Sequence, residues 1–360
     1  MRVILSAAVT ADGYLDDNTP QRLMISTAAD WEAVQRLRAS CDAILVGAET
    51  LRRDNPALRL RNDGMRRQRM AEGYPADLTK VVLTRSGRLD PAMRFFTEGV
   101  SEKIVFAQRE LPDIQPYATV ISSNGEELTA AFVITELEKR GIGRLLVEGG
   151  AEILRMFLRE NQADELRLAV NPHLLLGTGR GGARFQFEPP ATASCDKEQL
   201  DGMEVVHYTL HPDRTENDMK HLQEAIDESR RCTPCRTSYR VGAVIETDDG
   251  QLFKGYTHEC SATHHAEQEA ILKALEAGAS LRGAAIYTSM EPCSKRASEP
   301  ESCTQLILRH GFARVVFALY EPDCFVCCRG ALTLREAGLD VRCYPKMGGQ
   351  VRAINAHLWQ

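Results

Sequence analysis

The chain has 360 residues, of which 43% are hydrophobic and 26% charged, and its formal net charge is −6. This length predicts two domains of ordinary size, and the composition is that of a globular protein without a membrane partner. No run reaches the ~18 apolar residues of a membrane span, and a negative charge without a basic stripe disfavours nucleic acid as a partner. Nine of the 11 cysteines lie beyond residue 230 and the apolar N-terminus is too short for a signal peptide, which favours a reducing, cytoplasmic location over disulfides.

The first half of the chain alternates β-like and α-like segments, which predicts an α/β fold with a largely parallel sheet. The predicted strands are Val3–Val9, Ala43–Val46, Lys80–Leu83, Lys103–Phe106, Arg144–Val147 and Glu165–Val170. The predicted helices are Asp30–Ser40, Glu127–Arg140 and Gly150–Glu160. The polar segment Asn62–Lys80 is predicted to be a solvated loop, with phosphate binding by its arginines as the alternative.

The polar stretch His211–Asp218 predicts a linker between a domain over residues 1–210 and a second domain over residues 219–345. Predicted helices in the second domain are Asp218–Arg230, His265–Gly278, Ser302–His310 and one ending near Gly338. Its predicted strands are Arg240–Glu246, Leu252–Tyr256, Ala285–Ser289, Val315–Ala318 and Val341–Cys343. This order predicts a second α/β sandwich.

Three side chains in the second domain have the chemistry of a catalytic metal site. His265 begins His-Ala-Glu267 at a predicted helix start, Cys293 ends Met-Glu-Pro-Cys after a strand, and Cys303 follows ten residues later. One imidazole and two thiolates leave the fourth position of a tetrahedral Zn²⁺ free for water, and Glu267 is placed to carry protons. The alternative is a helix-starting histidine and two unrelated thiols.

Two further cysteine pairs, Cys232/Cys235 and Cys324/Cys327, have the spacing of zinc ligands. The pairs are far apart in sequence and would have to meet in space to form a second, structural zinc site. Buried or incidental thiols are the alternative.

Residues 218–345 resemble the pyrimidine deaminase domain of riboflavin biosynthesis, within the cytidine-deaminase-like superfamily. The resemblance runs through Val241–Val244, His265–Glu267 and Met290–Arg296. It implies a three-layer α/β/α domain in which His265, Cys293 and Cys303 hold Zn²⁺ and the metal activates a water at neutral pH. Glu267 then transfers a proton to the departing amine.

The deaminase resemblance has two departures from bacterial members of the family. Ser294-Lys-Arg296 is closer to the fungal form, and Ser238, assigned to the substrate pocket, replaces an asparagine. Because fungal pathways reduce the ribose before deamination, the resemblance implies a preference for the ribityl substrate.

Residues 1–210 resemble the partner reductase of the same pathway, a domain similar to dihydrofolate reductase. The segments that carry the resemblance are Thr10–Gly13, Ser26-Thr27, Asp42–Gly47, Thr50–Pro56, Arg61, Glu148–Gly150, Val170–Pro172 and Leu176–Gly179. It implies NADPH as the hydride donor. One departure is Tyr14, which stands where the family usually has a lysine.

The reductase resemblance implies two sets of site residues. The cofactor set is Gly47, Thr50, Thr84, Arg85, Ser86, Gly149 and Gly150. The substrate set is Ser26, Asp54, Arg61 and Glu148, with Asp54 also in a catalytic role. Glycines at a helix start let backbone N–H groups approach a pyrophosphate, and the Arg61 guanidinium suits a phosphate. For Thr84–Ser86, a surface turn remains the alternative interpretation.

The two resemblances together predict a bifunctional riboflavin-biosynthesis deaminase and reductase with the reductase first. The expected substrate is a 2,5-diamino-6-ribosylaminopyrimidinone 5′-phosphate or its ribityl form, and a homodimer is the expected assembly. The alternatives are a related pyrimidine in secondary metabolism, one domain that serves only as a binding module, and a deaminase of nucleic acid. The negative charge and the attached reductase disfavour the last.

Overall fold

A computed structural model describes residues 1–19, 21, 23–322 and 328–358. The contacts divide the chain into two compact units. The first unit comprises Arg2–Val133 and Ile142–Pro212, and the second comprises Met1, Ile134–Gly141 and Asp213–Gln360. Within the described residues, no helix combines the length and the apolar character that crossing a membrane requires.

The first unit contains a nine-stranded sheet in the described part of the chain. Its strands are β1 (Arg2–Thr10), β2 (Ala43–Gly47), β3 (Thr79–Thr84), β4 (Lys103–Ala107), β5 (Thr119–Ser122), β6 (Arg144–Glu148), β7 (Glu165–Asn171), β8 (Ser194–Leu200) and β9 (Met203–Thr209). The spatial order is β5-β4-β3-β2-β6-β1-β7-β9-β8, and only the pairings of β9 with β7 and β8 are antiparallel. The predicted α/β fold with a largely parallel sheet is confirmed.

The helices associated with this sheet follow its strands in the βα order expected of parallel sheets. They are α1 (Ala28–Ala39), α2 (Ala48–Asp54), α3 (Asp63–Ala71), α4 (Arg94–Thr97), α5 (Ala130–Lys139, divided between the units) and α6 (Ala151–Arg159). One core cluster joins apolar residues of neighbouring strands, Ile44, Val82 and Val105, to Leu51 of α2 and Phe95 of α4. The carboxyl ends of β2, β3 and β6 therefore lie at one edge of a rigid sheet.

The prediction of a solvated loop over Asn62–Lys80 is wrong, because α3 occupies Asp63–Ala71. Asn62 caps this helix by accepting hydrogen bonds from the backbone N–H groups of its first turn. Arg69 is 4% exposed, and its Nη1 donates to the carbonyl oxygens of Ala39 at 2.6 Å and Cys41 at 2.7 Å. This arginine therefore stabilises the fold.

The second unit contains a five-stranded sheet in the described residues, of order β11-β10-β12-β13-β14. The strands are β10 (Gly242–Glu246), β11 (Leu252–Tyr256), β12 (Ala285–Thr288), β13 (Arg314–Phe317) and β14 (Asp340–Cys343). The helices are α7 (Thr215–Ser229), α8 (Ala266–Glu276), α9 (Cys303–His310), α10 (Gly330–Glu336) and α11 (Gly348–Ile354). Only β10 pairs antiparallel, with both β11 and β12.

Alternate residues of the β10 strand face two separate cores. Ile245 packs in the cluster that includes Ile271 of α8, whereas Val244 packs in the cluster that includes Ile226 of α7 and Val351 of α11. The sheet is therefore covered by helices on both faces, which gives the predicted α/β/α layers.

The segment predicted to be a linker is partly helical. Helix α7 begins at Thr215, whose backbone N–H donates to Asp213 Oδ1 at 3.0 Å. Asp218 is fully buried and its carboxylate pairs with Arg314 of β13. This polar stretch contains a helix start and a residue of a buried ion pair. Polar composition alone does not distinguish such a segment from a linker.

Candidate active sites

The predicted metal ligands lie where loops meet helix starts in the second unit. His265 is the residue before α8, Cys293 follows β12, and Cys303 is the first residue of α9. Ser302 caps α9 through reciprocal hydrogen bonds with Gln305, at 3.2 Å to the Gln305 backbone N–H and 2.8 Å to its side chain. A helix start stabilises a nearby thiolate because its free N–H groups carry partial positive charge.

The structure brings these three side chains together. His265 Nδ1 lies 3.5 Å from Cys293 Sγ and 3.6 Å from Cys303 Sγ, and all three ligand atoms lie within 4.8 Å of one another. In a tetrahedral zinc site with Zn–S of about 2.3 Å and Zn–N of about 2.0–2.1 Å, a sulfur and a nitrogen are about 3.5 Å apart. The donor set and its spacing therefore fit a tetrahedral Zn²⁺ with one position left for water.

The thiols are buried, at 7% exposure for Cys293 and 0% for Cys303. Hydrogen bonds from Cys303, and then from His265, hold the pKa of Cys293 well below its usual range. Conversely, the hydrogen bond with Cys293 and burial raise the pKa of Cys303. Even without metal, the cluster thus favours one thiolate, which is the form that binds zinc.

Glu267 lies beside the cluster and is 3% exposed. Thr288 Oγ1 donates to one carboxylate oxygen and the Cys303 thiol to the other, each at 3.3 Å. Burial raises the pKa of Glu267, and the negative charge of Cys293 adds to this effect. A carboxyl group with a raised pKa, held in place by two donors, is suited to exchange protons at neutral pH.

The neighbouring His264 contacts a different residue, the buried Glu269, which was not singled out from the sequence. His264 Nδ1 lies 3.2 Å from Glu269 Oε1, which also accepts the backbone N–H of Cys260 at 2.9 Å. Glu269 is 1% exposed on α8. The sequence shows an acidic residue two positions after Glu267, but it does not show that this residue is buried.

The Cys293 loop is fixed by close contacts with the start of α10. Glu291 accepts the backbone N–H of Ala331 at 2.8 Å, and Thr304 Oγ1 donates to the carbonyl of Cys293 at 2.9 Å. A Cβ on Gly330 would lie 1.9 Å from the carbonyl oxygen of Pro292, so only glycine fits there. The thiolate is therefore held rigidly by its backbone.

The proposed second zinc site cannot be judged from the described residues, because Cys324 and Cys327 lie outside them. Cys232 Sγ donates to the carbonyl of Val241 at 3.3 Å. Cys235 Sγ lies 3.0 Å from the hydroxyl of Ser238, the residue predicted to contact substrate. This zinc site stays a prediction.

Four residues predicted to bind the cofactor meet in the first unit. Gly47 ends β2, Thr50 lies in α2, and Gly149 and Gly150 connect β6 to α6 with φ of +87° and +79°. A Cβ on Gly149 would lie 3.3 Å from Thr50 Oγ1, so these segments are in close approach. Glycine conformations at a helix start leave N–H groups accessible to a phosphate.

Of the predicted Thr84–Ser86 segment, Thr84 ends β3 and is 2% exposed, Arg85 and Ser86 follow the strand, and Leu83 lies opposite Gly47 in the sheet. The hydroxyl of Thr84 accepts the backbone N–H of Gly87 at 3.1 Å, and Arg85 is exposed. Arg85 and Ser86 therefore lie in a turn at the same edge of the sheet as Gly47, and cofactor binding by this segment stays a prediction.

The predicted substrate residues occupy separate elements of the first unit. Ser26 precedes α1, Asp54 ends α2, and Arg61 is exposed before α3. Glu148, at the end of β6, accepts two hydrogen bonds from Arg38 of α1, at 2.8 Å from Nε and 2.5 Å from Nη2. Arg38 was not singled out from the sequence, since it lies 110 residues from its partner.

Tyr14 packs on the chain's own loop. Its backbone forms an antiparallel bridge with Arg184, whose guanidinium carbon lies 5.8 Å from the centre of the tyrosine ring. A Cβ on Gly181 would lie 2.2 Å from the ring carbon Cε1 of Tyr14. Glycine at 181 therefore makes room for the tyrosine.

The chain is similar to a deaminase over one part of its length and to a reductase over another. It is 40% identical over 127 residues to a diaminohydroxyphosphoribosylamino-pyrimidine deaminase of Schizosaccharomyces pombe, covering 35% of this chain and 31% of that protein. It is 27% identical over 179 residues to a 2,5-diamino-6-ribosylamino-4(3H)-pyrimidinone 5′-phosphate reductase of Archaeoglobus fulgidus, covering 49% of this chain and 82% of that protein. The chain thus spans under a third of the yeast relative and most of the archaeal one.

A crystal structure of a deaminase/reductase of Thermotoga maritima matches with a TM-score of 0.48 and 24% identity, over 58% of this chain and 56% of that one. Residues 215–319 match the cytidine and deoxycytidylate deaminase zinc-binding region, and residues 1–208 match the RibD C-terminal domain. Since the latter match covers more than half of the chain, the chain belongs to the RibD C-terminal domain family.

Proposed function

We propose that the chain is a bifunctional enzyme of riboflavin biosynthesis. It deaminates a 2,5-diamino-6-ribosylaminopyrimidinone 5′-phosphate, or its ribityl form, and reduces the ribose to ribityl with NADPH. The observation that carries the proposal is the cluster of His265, Cys293 and Cys303 beside Glu267, in a chain that also matches the reductase family. The reductase domain spans residues 1–210 and the deaminase domain 219–345, helix α7 begins within the connecting stretch 211–218, and the enzyme is a cytoplasmic homodimer.

The deaminase half uses its side chains for two tasks. When bound by His265, Cys293 and Cys303, zinc supplies an activated water at neutral pH. Glu267 takes the proton of that water and gives it to the departing amine, for which the Thr288 hydroxyl orients one of its oxygens. Ser238 contacts the pyrimidine.

The reductase half binds NADPH at the glycine cluster around Thr50, with the Thr84–Ser86 turn near the 2′-phosphate. When bound, NADPH supplies the hydride for the sugar carbon. Arg61 holds the substrate phosphate, Ser26 and Glu148 line the pocket, and Asp54 exchanges a proton with the opening ribose. The positive φ values at Gly149 and Gly150 support this placement, because they allow close approach of a pyrophosphate.

Genetic complementation tests the pathway assignment. The gene is introduced separately into bacterial strains that lack only the deaminase step and only the reductase step of riboflavin synthesis. Growth without riboflavin in both strains is the expected result. Growth in one strain only would support the alternative in which one domain is a binding module, and growth in neither would sink the proposal.

A related pyrimidine of secondary metabolism is the second candidate substrate. It is favoured by Tyr14, which packs against Gly181 in place of the lysine usual in the family. Within the main proposal, the fungal-like Ser294–Arg296 loop indicates that the deaminase prefers the ribityl form. The kcat/KM for deamination of both forms measures this preference, and a higher value for the ribosyl form would refute it.

A further inference from the structure

One face of helix α1 contacts two of the four residues assigned above to the reductase substrate, Arg61 and Glu148. Trp31, Gln35 and Arg38 are spaced four and three residues apart, so they share one side of the helix. Gln35 and Arg38 are buried, at 4% and 6% exposure, whereas Glu32 and Arg36 of the same helix are exposed. Buried polar side chains aligned on one helix face require partners, and each has one in the pocket region.

Arg38 determines where the carboxylate of Glu148 points. The two planar groups make paired hydrogen bonds of 2.8 and 2.5 Å, with side-chain exposures of 8% and 15%. A bidentate guanidinium–carboxylate pair fixes direction as well as distance, which a lysine ammonium cannot do. The remaining lone pairs of Glu148 therefore have a defined direction.

Gln35 and Trp31 hold Arg61 at its two ends. The backbone N–H of Arg61 donates to Gln35 Oε1 at 2.9 Å, and its guanidinium carbon lies 5.2 Å from the centre of the Trp31 ring. Within the described residues, Arg61 makes no ion pair with a carboxylate and its side chain is exposed. A guanidinium held against a ring and left without a carboxylate is ready to bind an anion.

Arg38 also approaches Trp31, at 5.1 Å from the ring centre, so one indole contacts both guanidinium groups. The charge of Arg38 is neutralised by Glu148, whereas no carboxylate of the described residues pairs with Arg61. The Trp31 indole therefore contacts one arginine with a structural role, Arg38, and one with a ligand-binding role, Arg61.

We infer that Trp31, Gln35 and Arg38 form a positioning surface that orients Arg61 towards the substrate phosphate and Glu148 towards the sugar. This inference rests on the proposed reductase function and names residues that act through Arg61 and Glu148. Trp31 in addition reports occupancy of the site, because an anion bound by Arg61 alters the guanidinium contact with the indole.

Trp31 fluorescence tests the phosphate end directly. The chain has two tryptophans, so a Trp359→Phe protein contains Trp31 alone. Ribose 5-phosphate should change the emission and ribose should not. Arg61→Ala should abolish the response, and Gln35→Ala should raise the apparent Kd for ribose 5-phosphate about 2- to 10-fold.

Steady-state reduction tests the sugar end. Arg38→Lys should lower kcat/KM of reduction roughly tenfold while leaving NADPH affinity unchanged. The matched control is Arg167→Lys, which alters the other buried ion pair of α1, with Asp30, at 2.6 Å. Trp31→Phe should keep near-normal KM, and Trp31→Ala should raise it. Unchanged NADPH affinity reports that the first unit of each variant is folded.

The outcomes separate the inference from the function on which it rests. If Arg61→Ala leaves the fluorescence response intact, or the parent protein gives none, the phosphate role of Arg61 is wrong and the inference is overturned with it. If Arg61→Ala abolishes the response but Gln35→Ala and Arg38→Lys behave like Arg167→Lys, the positioning role is overturned and the phosphate role stands.

Discussion

The two candidate sites differ in how completely the protein assembles them. In the second unit, His265 lies 3.5 and 3.6 Å from Cys293 and Cys303, and Cys303 lies 3.3 Å from Glu267. In the first unit, the site residues form separate groups, the glycines near Thr50, the pair Arg38–Glu148 and the stack of Arg61 on Trp31.

The difference follows from the ligands that the sites serve. A metal ion requires all its ligands within bonding distance of one point, so a catalytic zinc site must converge in the folded protein. A dinucleotide and a sugar phosphate are long, and their phosphates and rings bind to separate elements. We therefore expect a single substitution to abolish activity at the zinc site and to lower activity only in part at the dinucleotide and sugar-phosphate site.

The largest effect is expected for Cys303→Ala. Loss of one of three ligands should remove the metal and reduce deamination below detection, while NADPH oxidation remains largely intact. Elemental analysis and the two assays on one preparation measure this. Cys343→Ala, which alters another buried thiol, is the control and should keep the metal. Active protein without zinc would contradict the assignment.

Glu267→Gln should separate the proton-transfer step of deamination from metal binding at the zinc site. The amide keeps the shape but cannot transfer a proton, so deamination should fall by about 10²- to 10⁴-fold with unchanged zinc content. Glu276→Gln, at the exposed end of α8, is the matched control. A Glu267→Gln protein with near-normal turnover would refute the proton-transfer role.

Arg61→Ala tests the reductase site, where a partial loss of function is expected. Loss of a charge-assisted contact costs about 1.5–3 kcal/mol, which corresponds to a 10- to 150-fold rise in KM for the phosphorylated substrate. Arg109→Ala serves as the control because that exposed arginine follows β4 and has no assigned role. Equal KM values for the two variants would show that the assignment of Arg61 is wrong.

The smallest effect is expected for Thr288→Val. Its hydroxyl donates one hydrogen bond to Glu267, at 3.3 Å, in a fully buried position. Loss of one such bond is worth about 0.5–1.5 kcal/mol, so deamination should slow about 2- to 12-fold. Thr288→Ser keeps the hydroxyl and should be close to the parent. Equal rates of deamination for Thr288→Val and Thr288→Ser would show that Thr288 does not orient Glu267.

Much of the fold could be predicted from the sequence because its buried strands are short apolar runs. Leu252–Tyr256 was predicted with the bounds observed, and its neighbours within a few residues. The exposed strand β8 (Ser194–Leu200) was not predicted, since its residues are mainly polar and show no alternation. Helix α3 was missed because its cap, Asn62, was interpreted as part of a loop.

The candidate sites show the same division. The zinc cluster was predictable because two short motifs contain His265 and Cys293, Cys303 follows at a permissible spacing, and the metal fixes the geometry of all three. The partners that orient the reacting groups were not predictable, because Arg38 meets Glu148, and Thr288 meets Glu267, only through the folded chain. Spacing in sequence carries no signal for contacts between separate strands and helices.

The most direct test of the central claim is to identify the products made by the purified full chain. The diaminopyrimidine ribosyl phosphate is incubated with and without NADPH, and products are identified by mass. We predict replacement of an amino group by oxygen, and, only with NADPH, the gain of two hydrogens on the sugar. A substrate mass that remains unchanged under both conditions, with zinc bound, would contradict the proposed bifunctional enzyme.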